Sequence, residues 1–172
     1  TVLTVTPESA PGAARPKLRS GIYAIERHEW ADGPVRLEPW SAEAPDPHLI
    51  AVFESSNRVG FGADGLTFDG DGNLYCGIFE DGVVYKSTFR ADGSVASTEL
   101  FARSDEMHCC DGLFWREADD RIYVADMLRN AVQVVDMHGN VSTLCRNGDT
   151  DGADGALDQP CEVLVRGDEL IV

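Results

Sequence analysis

Gly62-Ala63-Asp64-Gly65-Leu66-Thr67-Phe68, set above Gly-containing Cys110-Asp111-Gly112-Leu113-Phe114-Trp115, brings the rest of the chain into step. The apolar run Leu74-Tyr75-Cys76 begins ten residues after Asp64, and Ile122-Tyr123-Val124 begins eleven after Asp111. A polar turn precedes each run: Asp69-Gly70-Asp71-Gly72-Asn73 in one copy and Arg116–Arg121 in the other. Next come Gly82-Val83-Val84-Tyr85 and Asn130-Ala131-Val132-Gln133-Val134-Val135. Last, Asp92-Gly93-Ser94-Val95 leads a strand to Phe101, and His138-Gly139-Asn140-Val141 leads one to Leu144. Each copy therefore reads as short strands joined by tight turns, an antiparallel meander. Asp-Gly occurs nine times and supplies the positive-φ positions that such turns need.

A third copy opens at Pro160-Cys161-Glu162-Val163-Leu164-Val165 and continues into Glu169-Leu170-Ile171-Val172. Half of an earlier copy precedes Asp64, where Ile22–Ile25 followed by Ala31-Asp32-Gly33-Pro34-Val35 parallels Tyr85 followed by Ala91–Val95. The anchors Asp64, Asp111 and Glu162 lie 47 and 51 residues apart. Propeller blades recur at roughly 40–50 residues with four strands each. The expected fold is an all-β propeller, with residues 1–20 a flexible lead-in or interblade connection and 21–172 the blades. Closing a propeller takes about four blades or more, so the chain is expected to be part of a longer one; a small four-bladed closure is the alternative.

Acidic residues number 30 against 14 Lys and Arg, a net charge of −16. Such a surface repels phosphate backbones and argues against nucleic acid as a partner; it reads first as a solubility feature. The apolar runs are far shorter than the roughly 20 residues of a spanning helix, and the first 20 residues show no basic-then-apolar leader. Five cysteines at 76, 109, 110, 145 and 161 match no zinc signature and read as reduced thiols. They favour the cytoplasm, with secretion or a periplasmic location open.

In a propeller the innermost strand of each blade starts at one rim of the central tunnel. Equivalent positions here carry Asp64, Asp111 and Glu162, all carboxylates. Gathered in a low-dielectric funnel they would repel one another unless a cation intervened, and hard ions such as Ca²⁺ take oxygen ligands. The competing reading is that Asp64-Gly65 and Asp111-Gly112 are only turns. His108, on the loop before Asp111, is a candidate proton shuttle; Cys109 and Cys110 read as packing thiols. Asp69–Asn73 begins like a calcium loop but lacks its later Glu and flanking helices, so it reads as a turn. Asp149–Gly155 reads as a solvated acidic loop, with a second cation as the alternative. No nucleophile elbow, phosphate loop or dinucleotide fingerprint is present in the sequence.

The stretches 62–75 and 110–115 resemble the senescence-marker protein / gluconolactonase / luciferin-regenerating-enzyme family, also called regucalcin-like, over residues 60–172. The resemblance implies a six-bladed propeller with one catalytic divalent cation, Ca²⁺ first, with Zn²⁺, Mg²⁺ or Mn²⁺ as alternatives. The family's Pro-Asp-Gly motif falls on Ala63-Asp64-Gly65, which makes Asp64 a metal ligand. Its Ser-Asn-Gly-Leu motif falls on Cys110-Asp111-Gly112-Leu113, with Asp111 replacing Asn; another register puts Cys110 there. The family's Glu falls either on Glu162, whose neighbours do not match, or outside the chain.

The expected function is metal-dependent hydrolysis of a lactone or related ester, a small-molecule substrate, with Asp64, Asp111 and Glu162 holding the ion. Asp111 doubles as general base, and His108 is within reach of the substrate. The alternatives are a non-catalytic binding propeller of the NHL type and a metal-free propeller enzyme resembling strictosidine synthase. Oligomeric state is not readable from the residues.

Overall fold

The computed structural model describes residues 2–4, 16–148, 152 and 155–172. The chain divides into two compact units, Thr1–Ala63 and Asp64–Val172. Among the described residues, no helix is long and apolar enough to cross a membrane.

The first unit holds a three-stranded antiparallel sheet. Its central strand β2 (Leu18–Tyr23) pairs with β1 (Val2–Thr4) on one side and β3 (Leu49–Ser55) on the other. Strand pairing therefore reaches into the segment 1–20 at both ends; the proline-rich residues 6–15 between them lie outside the described residues. Leu18, Ile22, Tyr23 and Phe53 are buried. The half-copy expected at Ile22–Val35 does not form. After β2 the chain enters a short helix α1 (Arg27–Ala31), with Asp32 as its C-cap, and then runs without strand to β3. Pro34, Pro39, Pro45 and Pro47 lack the N–H a hairpin partner must donate, so β2 finds its partner only at Leu49.

That excursion is clasped by His48. Its Nδ1 meets Asp46 Oδ1 at 2.8 Å and its Nε2 meets Glu29 Oε1 of α1 at 3.0 Å. Asp46 also accepts from the backbone N–H of Glu38 and His48.

The second unit holds two antiparallel meanders and a hairpin. The first meander is β4 (Ala63–Phe68), β5 (Leu74–Ile78), β6 (Val83–Phe89) and β7 (Val95–Arg103). The second is β8 (Leu113–Arg116), β9 (Arg121–Asp126), β10 (Ala131–Asp136) and β11 (Val141–Arg146). The hairpin is β12 (Leu164–Arg166) with β13 (Glu169–Ile171). The repeated strands thus lie where the turn chemistry places them.

Three of the turns are copies of one another. Gly72 N–H donates to Asp69 O, Gly93 N–H to Arg90 O and Gly139 N–H to Asp136 O, at 2.9–3.1 Å. The glycines have φ of 79°, 82° and 81°, the left-handed position that follows a type I turn in a bulged hairpin. Any side chain there would be strained.

Alternation along the strands divides the core between two faces of the second meander. Ile122, Val124 and Val135 pack with Tyr75, Val84, Ala102, Met107, Cys110 and Leu113 toward the first meander. Tyr123, Ala125, Val132 and Val134 pack with Val163 toward the hairpin. A sheet covered on both faces needs apolar residues at successive positions, which is why Ile122–Ala125 reads as an unbroken apolar run. Burying each Ile or Val side chain of this kind is worth about 1.5–3 kcal/mol.

Candidate functional site

Asp64 lies at the start of β4, Asp111 two residues before β8, and Glu162 two residues before β12. Backbone contacts link these levels. Asp111 N–H donates to Ala125 O at 3.1 Å, and Ala125 N–H donates to Gly112 O at 2.9 Å. Gly112 N–H in turn donates to Cys161 O at 2.9 Å, next to Glu162.

The two Asp-Gly pairs are not turns. Neither Gly65 nor Gly112 is among the positive-φ residues. Instead, a Cβ on Gly65 would collide with the backbone carbonyl of Asp111, and one on Gly112 would collide with the Glu162 carboxylate and lie 2.8 Å from Cys161 O. Glycine follows the acid because consecutive strand starts approach too closely there for a side chain.

Asp64 and Asp111 both feel neighbouring carboxylates. Burial raises the Asp64 carboxyl, and the charge of Glu162 raises it further. Burial likewise pushes Asp111 up, to about 6, helped by the charges of Asp64 and Glu162 and opposed by the nearby Cys161 thiol, whose S–H is directed at Gln159 O. No Lys, Arg or His is among the groups that shift either carboxyl. Half-buried anions without a basic partner are the donor set that suits a hard cation. Among the described residues, however, no three His, Cys, Asp or Glu side chains stand close enough together to hold a metal ion. Glu162 is exposed, with Oε1 turned back onto the N–H of Val163 at 2.9 Å.

His108 is not brought to these carboxylates. Its ring is exposed and Nε2 lies 3.1 Å from Asp105 O, while its backbone N–H donates to Asp126 Oδ2 at 3.0 Å. The expectation that it reaches a substrate at Asp111 has no support in this geometry. Cys109 and Cys110 are fully buried, and burial raises both thiols. Cys110 packs in the core under Gly77, so the register that puts Cys110 at the family's Asn would place a core residue at the site; Asp111 is the partly exposed residue of the two. Asp69 accepts from Asp71 N–H, from Asn73 N–H and Nδ2, and from the Tyr75 hydroxyl. Its carboxylate is satisfied by the turn itself. The acidic stretch at 149–155 lies outside the described residues, apart from Gly152 and Gly155.

Two features escaped the residue pattern. Cys161, read only as a reduced thiol, donates its S–H to Gln159 O at 3.3 Å and sits beside Asp111, accepting the Gly112 N–H on its own carbonyl; it is the residue just before the third anchor, which is the one signal it offered. Asp126 and Gln133 are buried polar residues in the second meander. Their signal was available in the repeat, since Asp126 falls at the position of Ile78.

No family model matches the chain, and no curated protein matches it.

Proposed function

We propose that the two meanders and the hairpin are consecutive blades of a β-propeller, six-bladed as the regucalcin-like resemblance implies. In this reading Asp64, Asp111 and Glu162 bind a divalent cation, Ca²⁺ first, at the tunnel rim, and the site hydrolyses a lactone or related ester. The observation that carries the reading is that Asp64 and Asp111, half-buried at equivalent positions of the repeat, are both raised by burial and by neighbouring carboxylate charge, with no basic residue among the groups acting on them.

A bound divalent cation would supply Lewis-acid polarisation of the substrate carbonyl. Asp64 contributes negative charge from a fixed strand position. Asp111 would hold the ion through one carboxylate oxygen and offer the other to accept a proton from an attacking water. Glu162 would use Oε2, its Oε1 accepting the Val163 N–H.

The test is a panel of five- and six-membered lactones, assayed with Ca²⁺ and with chelator, on the native chain, Asp64→Ala and Asp111→Asn. The expected result is hydrolysis that depends on the ion, lost in both variants. Hydrolysis that survives both substitutions rejects the assignment. The absence of a ready three-ligand set among the described residues favours the second reading, a propeller that binds ligands or proteins without catalysis; it predicts no turnover of any lactone and no response to cations.

A further inference from the structure

The two meanders offer an internal comparison, because equivalent positions can be read against each other. Ile78 pairs with Val83 at the end of β5, and Asp126 pairs with Ala131 at the end of β9. Tyr85 pairs with Leu100 in the first meander, and Gln133 pairs with Thr143 in the second. The row Ile78–Tyr85–Leu100 is thus replaced by Asp126–Gln133–Thr143. Asp126 is 0% exposed and Gln133 1%. Burying a carboxylate and an amide where the sister sheet holds aliphatic and aromatic carbon costs free energy. The fold does not require the polar row, because the first meander forms the same sheet without it.

The polar row is aimed at one segment. Thr143 Oγ1 donates to Gln133 Oε1 at 2.8 Å. Gln133 Nε2 donates to Asp126 Oδ2 at 3.0 Å and to the carbonyl of Glu106 at 2.7 Å. Asp126 Oδ2 also accepts the backbone N–H of His108 at 3.0 Å, while Oδ1 is buried without a partner. Arg129 holds the same segment from below, donating to the carbonyls of Asp105 and Glu106 at 3.0 and 3.4 Å. Asp111 begins three residues beyond His108, past the two buried cysteines.

We propose that Asp126 is the positioning residue for Asp111. With Gln133 and Thr143 it fixes the backbone of 106–108, and so sets where Cys109-Cys110-Asp111 delivers its carboxylate at the rim. The inference rests on the cation-site reading given above.

Three forms of the whole chain decide it: the native chain, Asp126→Ile, which copies the sister sheet, and Asp126→Asn, which keeps an oxygen facing His108 N–H. Amide hydrogen exchange and Tb³⁺ luminescence are the readouts, Tb³⁺ serving as an oxygen-seeking probe. In Asp126→Ile, exchange at 108–111 should accelerate by about tenfold or more, the effect of losing a hydrogen bond to a charged group, with Tyr75 and Val84 unchanged. Tb³⁺ affinity should fall by a similar factor, and the luminescence lifetime should report additional bound water. Asp126→Asn should restore most of both. Native exchange at 108–111 in folded Asp126→Ile overturns the proposal, as does equal loss in the Ile and Asn variants. If Asp126→Ile does not fold, Thr143→Val takes its place, and unchanged exchange at 106–111 is then the refuting result. If the native chain binds no Tb³⁺, the cation-site reading fails, and the exchange arm alone decides the positioning role.

Discussion

Replacing Asp64 with Asn should make the protein more stable at mildly alkaline pH while removing the cation binding proposed above. Asp111 lies at about 6 rather than near 3.8, so the folded state holds that proton more tightly than the unfolded chain does. Stability from this source is fully present at low pH and is lost as pH rises through about 6. The displacement corresponds to on the order of 3 kcal/mol, to be reduced because the group is partly exposed. Burial is its largest cause and the Asp64 charge the next, so neutralising Asp64 relieves on the order of 1 kcal/mol, and Asp64 no longer bears its own desolvation. For a chain of this size about 1 kcal/mol moves the melting temperature by about 2–4 °C. Thermal melts of the native chain and Asp64→Asn at about pH 4 and about pH 8 should show a gain only at the higher pH. An Asp64→Asn chain that melts at or below the native temperature at the higher pH would refute the claim that these carboxylates repel one another.

Two further outcomes follow from the geometry. Gly65→Ala meets the Asp111 carbonyl at a backbone conformation alanine tolerates, so the steric cost of about 1–3 kcal/mol should appear in chemical denaturation. It should not appear for Gly148→Ala, where the added carbon meets open space. In the first unit, His48 between Glu29 and Asp46 has a raised pKa, chiefly through its hydrogen bonds to those carboxylates. Its clasp therefore contributes fully below the ordinary histidine value and is lost as pH rises through the raised one. Titration of the His48 ring by NMR, with and without Glu29→Gln, should show the midpoint falling in the variant; an unchanged midpoint would contradict the pairing.

The meanders were legible because their information is local: an Asp-Gly or Gly-Asn turn, an apolar strand and a repeat spacing all lie within one copy. The failure at Ile22–Val35 came from matching Asp32-Gly33 to Asp92-Gly93 while the prolines downstream removed the hairpin's donors. Gly65 and Gly112 were ambiguous for a different reason. Glycine serves a positive-φ turn and a close approach equally well, and only the neighbouring strand start distinguishes them. His108 is adjacent to the site in sequence, yet its ring turns back onto Asp105. Asp126 was visible as an acid in an apolar column, but its target, the backbone of His108, lies 18 residues away and follows no sequence pattern.

The most direct test of the account is calorimetric titration of Ca²⁺ into the native chain and into an Asp64→Asn/Asp111→Asn double variant. The account predicts one ion per native chain, with a dissociation constant no weaker than about 10⁻³ M, and no binding heat in the double variant. Equal binding by both chains, or no binding of any divalent cation by the native chain, would contradict it.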